Sequence, residues 1–409
     1  MKAVPDYDVV IVGGGMAGLV CAESLAAGLP ERRIALIETR PPAALRADSE
    51  LDLRVSALAP ASTAILSRQG VWGSLPATKV CAYEGMHVWQ ASGQAHGNRS
   101  ISFTAAELGE PVLGHIVENQ AIRQIAWEQL QNAGRIALLT DLQLESLEFQ
   151  PEHCVMNFGS DKSLTAGLLI AADGARSWVR DQVDAAYHER SYGQSGVVGH
   201  IATAEPHQHA AWQRFLAAGP VALLPLADGR SSLVWSCPDE QAAELVSMAE
   251  ADFNKELTAA LDGVLGAAEC TTRRVSFPLS MGYSRHYTGH RFALIGDAAH
   301  RIHPLAGQGA NLGLLDAAQL AEILVEFLQH PVADPGDMRA LRSYERARKG
   351  DNLLMMGMMD MLNKAFASPL ADLAGTGMEW FDRSPLLKSR LTAYATGRGR
   401  ELPAAAQPS

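Results

Sequence analysis

Residues 7–28, YDVVIVGGGMAGLVCAESLAAG, restrict the fold of this chain more than any other stretch. The β-branched run Val9–Val12 makes Tyr7 to Gly13 a short buried strand. Gly13, Gly15 and Gly18 follow at GxGxxG spacing, and a helix then runs to about Gly28. Arg33 to Glu38 reads as a second buried strand. Strand, helix and strand form a right-handed parallel unit. Gly13 permits a tight turn, Gly15 a close backbone approach to a pyrophosphate, and Gly18 close helix packing. The helix start offers N–H groups and the positive end of its dipole to phosphate. Glu38, 20 residues beyond Gly18, is placed to accept from ribose hydroxyls. The motif by itself fits NAD and FAD alike.

Two further strand ends carry an acid beside a glycine. LLIAADGARSWVR delivers Asp173 and Gly174, with Arg176 and Arg180 close behind. RFALIGDAAHRIHPLAGQGANLGLLDA delivers Gly296 and Asp297, then His300 and His303, then a glycine cluster that enters a helix. Ligands of parallel sheets bind at such carboxyl ends. In the helix that follows, Asp316, Gln319, Glu322 and Glu326 read as the polar side. Leu320, Ile323, Leu324 and Phe327 read as the apolar side. Between the second and third acid–glycine strands, Tyr192 to Phe277 alternates as an antiparallel sheet does. A chain of 409 residues exceeds one simple core.

The fold class is therefore α/β: a discontinuous Rossmann-like nucleotide-binding domain, an inserted and mostly antiparallel β-sheet domain, and a helical C-terminal tail. The expected boundaries are 1–70, 101–184 and 276–330 for the first, 71–100 and 185–275 for the second, and 331–409 for the tail. The net charge of −11 argues against a nucleic-acid partner. The five scattered cysteines favour neither disulfides nor a zinc site, and point to the cytoplasm. Neither a signal peptide nor a membrane span is expected.

In this order and at these distances the three motifs resemble the class A flavoprotein monooxygenases of the para-hydroxybenzoate hydroxylase fold. The resemblance covers about residues 5 to 365. ELDLRVSALAPASTAILSRQGVW, GHIVENQAIRQIAWEQL, AWQRFLAAGPVALLPL and HPLAGQGANLGLLDA further resemble the ubiquinone-biosynthesis hydroxylases. The resemblance implies FAD as cofactor. Its binding set would be Gly13, Gly15, Met16, Ala17, Gly18, Glu38, Thr39, Arg54, Arg123, Asp173, Gly174, Gly296, Asp297, Pro304, Gly307, Gln308, Gly309, Ala310 and Asn311. Asp297 would hold the ribityl chain or phosphate. Pro304 would lie beside the ring, and the 307–311 loop would turn its N–H groups to the flavin N1/O2 edge. A helix N-terminus is suited to that anionic edge.

The implied reaction is hydroxylation of a prenylated phenol or benzoquinol ring by O2, through a flavin C4a-hydroperoxide. NAD(P)H or another reductant would supply electrons. Other ubiquinone-biosynthesis proteins and a membrane surface are the implied partners. A reductase or oxidase of the same fold and a non-catalytic FAD subunit stay open as alternatives. No catalytic base is assigned, and no metal is expected at His300 and His303, because Pro304 interrupts a helix there. Trp235 in VWSCP lacks the rest of a halogenase signature. The run Leu353–Phe366 has helical apolar spacing, suited to core packing, a prenyl tail or a surface contact.

Overall fold

The structure, a computed structural model, describes residues 4–44, 51–159, 162–302, 308–367 and 402–407, with the backbone alone for 308, 362, 363 and 365–367. The apolar runs form the centre of an eight-stranded sheet. Its main path is Thr288–Gly289, Phe292–Leu294, Ser163–Ala171, Tyr7–Val12, Ile34–Glu38 and Ala137–Thr140. All but the first step of that path are parallel. Val9, Val10, Ile11, Leu168, Leu169 and Ile170 are wholly buried. They are covered on both faces, so they do not alternate.

Register brings the three motifs together. Val12 pairs with Ala171 and with Ile37, and Ala171 pairs with Leu294. Gly13, Asp173 and Gly296 thus leave the same edge of the sheet side by side. Helix Met16–Gly28 packs on helix Gln308–Leu328 through a shared core that includes Leu19, Leu25, Leu320 and Leu324.

A nine-stranded sheet forms the second layer. Its main path is His300–Arg301, Val275–Ser284, Tyr187–Thr203, Ser231–Pro238, Gly219–Pro225, Ala210–Leu216, Gly85–Gln90 and Ser100–Thr104. It is antiparallel except where Ala210–Leu216 meets Gly85–Gln90. One face buries Trp89, Trp212 and Trp235 with Phe253 and Leu257 from the flanking helix Glu250–Ala260. The other face carries Phe277 and Leu279 toward the first sheet. A small sheet of Val55–Leu58, Gly114–Glu118 and Val80–Tyr83 closes the join.

Sheet membership divides the chain at other points than the pattern does. Ser100–Thr104 stays with the large antiparallel sheet because it pairs with Gly85–Gln90. Val275–Ser284 also belongs to that sheet, through ten-residue pairing with Tyr187–Val198. Val71, by contrast, packs into the core of the first sheet. In the tail, helix Met338–Ala367 is continuous, and residues 402–407 return to helix Pro60–Arg68, where Arg68 donates to the Gln407 carbonyl.

Candidate active site

The three sheet ends open into a cleft of about 820 Å³. Its walls include Gly13, Gly15, Met16, Ala17, Glu38, Arg54, Arg123, Asp173, Gly174, Gly296, Asp297, Gly309 and Ala310, all expected from sequence. The first helix starts at Gly15 without a side-chain cap and with no acid in its first turn. Its leading N–H groups therefore face the cleft without a side-chain acceptor. A side chain at Gly15 or Gly174 would meet nothing within 4 Å, so each opens directly on the cleft. Gly18 does not line it. A Cβ there would sit 1.9 Å from the Gly13 carbonyl oxygen, so Gly18 sets the helix against the turn.

Arg123 braces this cradle. Its Nε donates to the Gly14 carbonyl (2.6 Å), its Nη2 donates to the Arg40 carbonyl (2.6 Å), and Nη2 lies 3.3 Å from Glu38 Oε2. Glu38 Oε2 accepts from the Gly14 N–H at 2.7 Å, and Oε1 accepts from the Arg40 N–H at 2.8 Å. Glu38 and its neighbouring cation thus hold the turn. Thr39 lies outside the cleft wall, exposed.

Asp173 serves its own loop. Oδ1 accepts from Ser177 Oγ at 2.5 Å and Oδ2 accepts from the Val179 N–H at 3.1 Å, so it secures the start of helix Trp178–Gln182. Burial pushes its carboxyl above the ordinary range, against the pull of those donors. Asp297 is exposed on the cleft. The protein packed around its turn pushes its carboxyl above the ordinary range, against His300, Arg301 and Arg54. Asn311 is buried: its Oδ1 accepts from the Ala59 N–H and Ser62 Oγ, and its Nδ2 donates to the Ala57 carbonyl. Its side chain therefore ties the helix to the 57–62 segment. Pro304, Gly307 and His303 lie outside the described residues, as does the side chain of Gln308.

Sequence reading missed several wall residues: Arg40, Asp52, Ser56, Asn119, Gln120, Phe277, Leu279, Arg301 and Ile302. Arg40 and Asn119 adjoin motif residues and carried that signal. Phe277 and Leu279 carried none, because their strand alternates like any half-buried strand. Asp316 is a correction. Periodicity puts it on the polar face of its helix, yet it is fully buried, with Oδ2 2.5 Å from His300 Nε2 and Oδ1 2.8 Å from Arg348 Nε. Helix Met338–Ala367 and the 296–300 turn close over that part of the helix, so both of its faces are interior. Trp235 packs in the core beside Phe253, 6.4 Å between ring centroids.

The donors fit FAD. Uncapped helix N–H groups, glycines without Cβ and Arg40, Arg54 and Arg123 would hold its phosphates, while the Phe277 and Leu279 side is apolar. Fold and cleft together define an FAD-binding oxidoreductase. The family described as FAD binding domain matches residues 6–350. The chain is 33% identical to the 3-demethoxyubiquinol 3-hydroxylase of Escherichia coli over 95% of its own length and 98% of that protein. It is 33% identical to the mitochondrial ubiquinone biosynthesis monooxygenase COQ6 of Mus musculus, over 95% and 91% of the two. Among solved structures, P. aeruginosa PqsL in complex with 2-aminobenzoylacetate superposes with a TM-score of 0.73 at 22% identity, covering 91% of this chain and 99% of that one. The chain belongs to the FAD-dependent monooxygenases, within the family of ubiquinone-biosynthesis hydroxylases.

Proposed function

We propose that this protein hydroxylates the aromatic ring of a polyprenylated phenol or benzoquinol in ubiquinone biosynthesis, using FAD, O2 and electrons from NAD(P)H or another reductant. One observation carries the reading: a single cleft joins a dinucleotide cradle to an apolar wall from a second sheet. Bound FAD, once reduced, supplies the activation of O2 and the transfer of one oxygen atom to the ring. The chain supplies the rest. The N–H groups of the first helix and Arg40, Arg54 and Arg123 take the pyrophosphate. Glu38 takes the ribose, and Asp297 the polyol. The helix start near Gly309 and Ala310 would offer N–H groups to the flavin ring, which becomes anionic on reduction. Phe277, Leu279 and Ile302 exclude water from the reacting face. Ile302 packs in turn against the buried Leu312, Met355 and Met356, which back the apolar side of the cleft.

Peripheral membrane contact is part of the reading. Leu353, Leu354 and Met361 are 36%, 54% and 64% exposed on helix Met338–Ala367. Arg342, Arg346 and Lys349 precede them beside a groove of about 670 Å³. Basic and apolar residues on one helix suit an anionic lipid surface. No helix among the described residues is long and apolar enough to cross a membrane.

The test uses the purified full chain with FAD, reductant and a short-chain prenylphenol under isotopically labelled O2. The expected product carries one labelled oxygen on the ring. Substrate turnover that persists without O2 would favour a reductase of the same fold. FAD binding with no turnover of any ring substrate would favour a non-catalytic subunit.

A further inference from the structure

We infer that Asp316 is the positioning residue of the Gly296–Asp297 turn, and that helix Met338–Ala367, through Arg348 and Asn352, helps hold that turn in its FAD-binding form. This rests on the FAD reading above. Asp316 projects from helix Gln308–Leu328 into an interior it shares with three other segments. Its Oδ2 accepts from the Gly296 N–H at 3.1 Å and meets His300 Nε2 at 2.5 Å. Its Oδ1 accepts from Arg348 Nε at 2.8 Å and from Asn352 Nδ2 at 3.1 Å. Arg348 Nη2 donates to Asn352 Oδ1 at 3.0 Å, which closes the ring of contacts. His300, Asp316, Arg348 and Asn352 are each 1% exposed or less.

A buried ion pair is weak evidence for stability, since apolar side chains of similar volume often serve as well. What this carboxylate does that an apolar group cannot is hold a backbone N–H. Gly296 has φ 59°, in the left-handed region, where the strand Phe292–Leu294 has ended and the chain reverses. Fixing its N–H fixes the direction in which Asp297, the next residue, enters the cleft. His300, at the far side of the turn, is held by the same oxygen. One atom therefore clamps both ends of the segment 296–300. Arg348 and Asn352 hold the opposite oxygen, which fixes the rotation of the carboxylate itself. Asp316 does not line the cleft and acts only through the turn.

The test measures FAD affinity of the full chain by flavin fluorescence, beside the melting temperature of the apoprotein. Asp316→Leu/Arg348→Met replaces the pair by apolar volume and leaves Gly296 and His300 without their acceptor. It is expected to weaken FAD by about tenfold or more. Asp316→Asn/Arg348→Gln keeps a side-chain oxygen for Gly296 and is expected to bind FAD within about threefold of wild type. A purely structural pair would lower both variants together or neither. FAD binding by the apolar double variant within twofold of wild type overturns the inference. If that variant does not fold, Asn352→Ala takes its place, expected to weaken FAD severalfold; unchanged affinity there overturns it equally. Wild-type protein that takes up no FAD would instead overturn the FAD reading.

Discussion

At the scale of single residues, the glycines of the first turn separate binding from folding. Gly15 opens on the cleft and Gly18 on its own backbone, so equal substitutions have unequal effects. Gly15→Val should leave the apoprotein melting temperature within a few degrees and lower FAD affinity by about a hundredfold, since its branches fill the phosphate position. Gly18→Val should cost about 1–3 kcal/mol of stability, because turn and helix must move apart. Equal loss of stability in the two would refute the assignment. His87 supplies a pH effect. Burial, and then His96, push it down to about 4 from an ordinary 6.5. The unfolded chain takes up a proton as pH falls through 6.5, while the folded chain waits until about 4. Stability from His87 is therefore lost between those values. Wild type should lose more stability from pH 7 to pH 5 than His87→Gln, and parallel curves would contradict this. The raised carboxyls of Asp173 and Asp297 act with the opposite sign, so the comparison of the two proteins is the informative one. The glycines were legible because each needs a backbone freedom that its spacing advertises. Asp316 was not, because its burial comes from segments far along the chain.

Among elements, the contact of helix Met16–Gly28 with helix Gln308–Leu328 is the most exacting. A Cβ at Gly28 would lie 2.5 Å from Val325 Cγ2. Gly28→Ala should cost about 1–3 kcal/mol. Val325→Ala alone should cost about 1 kcal/mol. The double variant should fall short of their sum by at least about 0.5 kcal/mol, as residues in contact do. Additive denaturation midpoints would show that the helices do not meet there. The second helix also shows the limit of periodicity. Its later half has the expected sides, with Leu320 and Leu324 buried and Glu322 and Glu326 exposed. Its first half is buried all round from Asn311 to Ala318. A helix moment reports one interface, and this half has two. The helix Met338–Ala367 behaves likewise: Met355 and Met356 are interior while Leu353, Leu354 and Met361 face outward.

For the whole molecule, the five cysteines report compactness. All are free and buried. Burial pushes Cys21 up to about 12 and Cys154 to about 11; burial and then a nearby aspartate push Cys81 and Cys237 to about 11. Thiolate is the reactive form. The native protein should be inert to a thiol reagent at pH 8 and should titrate five thiols once unfolded. Rapid labelling of the native form would reveal local opening. The terminal helix supplies the second test at this scale. The full chain should sediment with vesicles containing phosphatidylglycerol and remain in solution with neutral ones. Leu354→Glu should weaken that binding without affecting FAD, and binding that ignores vesicle charge would exclude the basic face as its cause.

The sequence by itself determined the parallel unit, its cofactor cradle and about half of the residues that wall the cleft. These depend on local needs: a β-branched run for a strand buried on both faces, glycines for a tight turn, an acid at the next strand end. It also showed an antiparallel lobe by alternation. Only the tertiary structure decided which wall closes the cleft, because Phe277 and Leu279 reach it through strand pairing across some eighty residues of chain. The tertiary structure also changed the meaning of the Gly296–Asp297 stretch. His300 is one arm of a buried clamp, whose centre is an aspartate that local spacing assigns to the polar side of its helix.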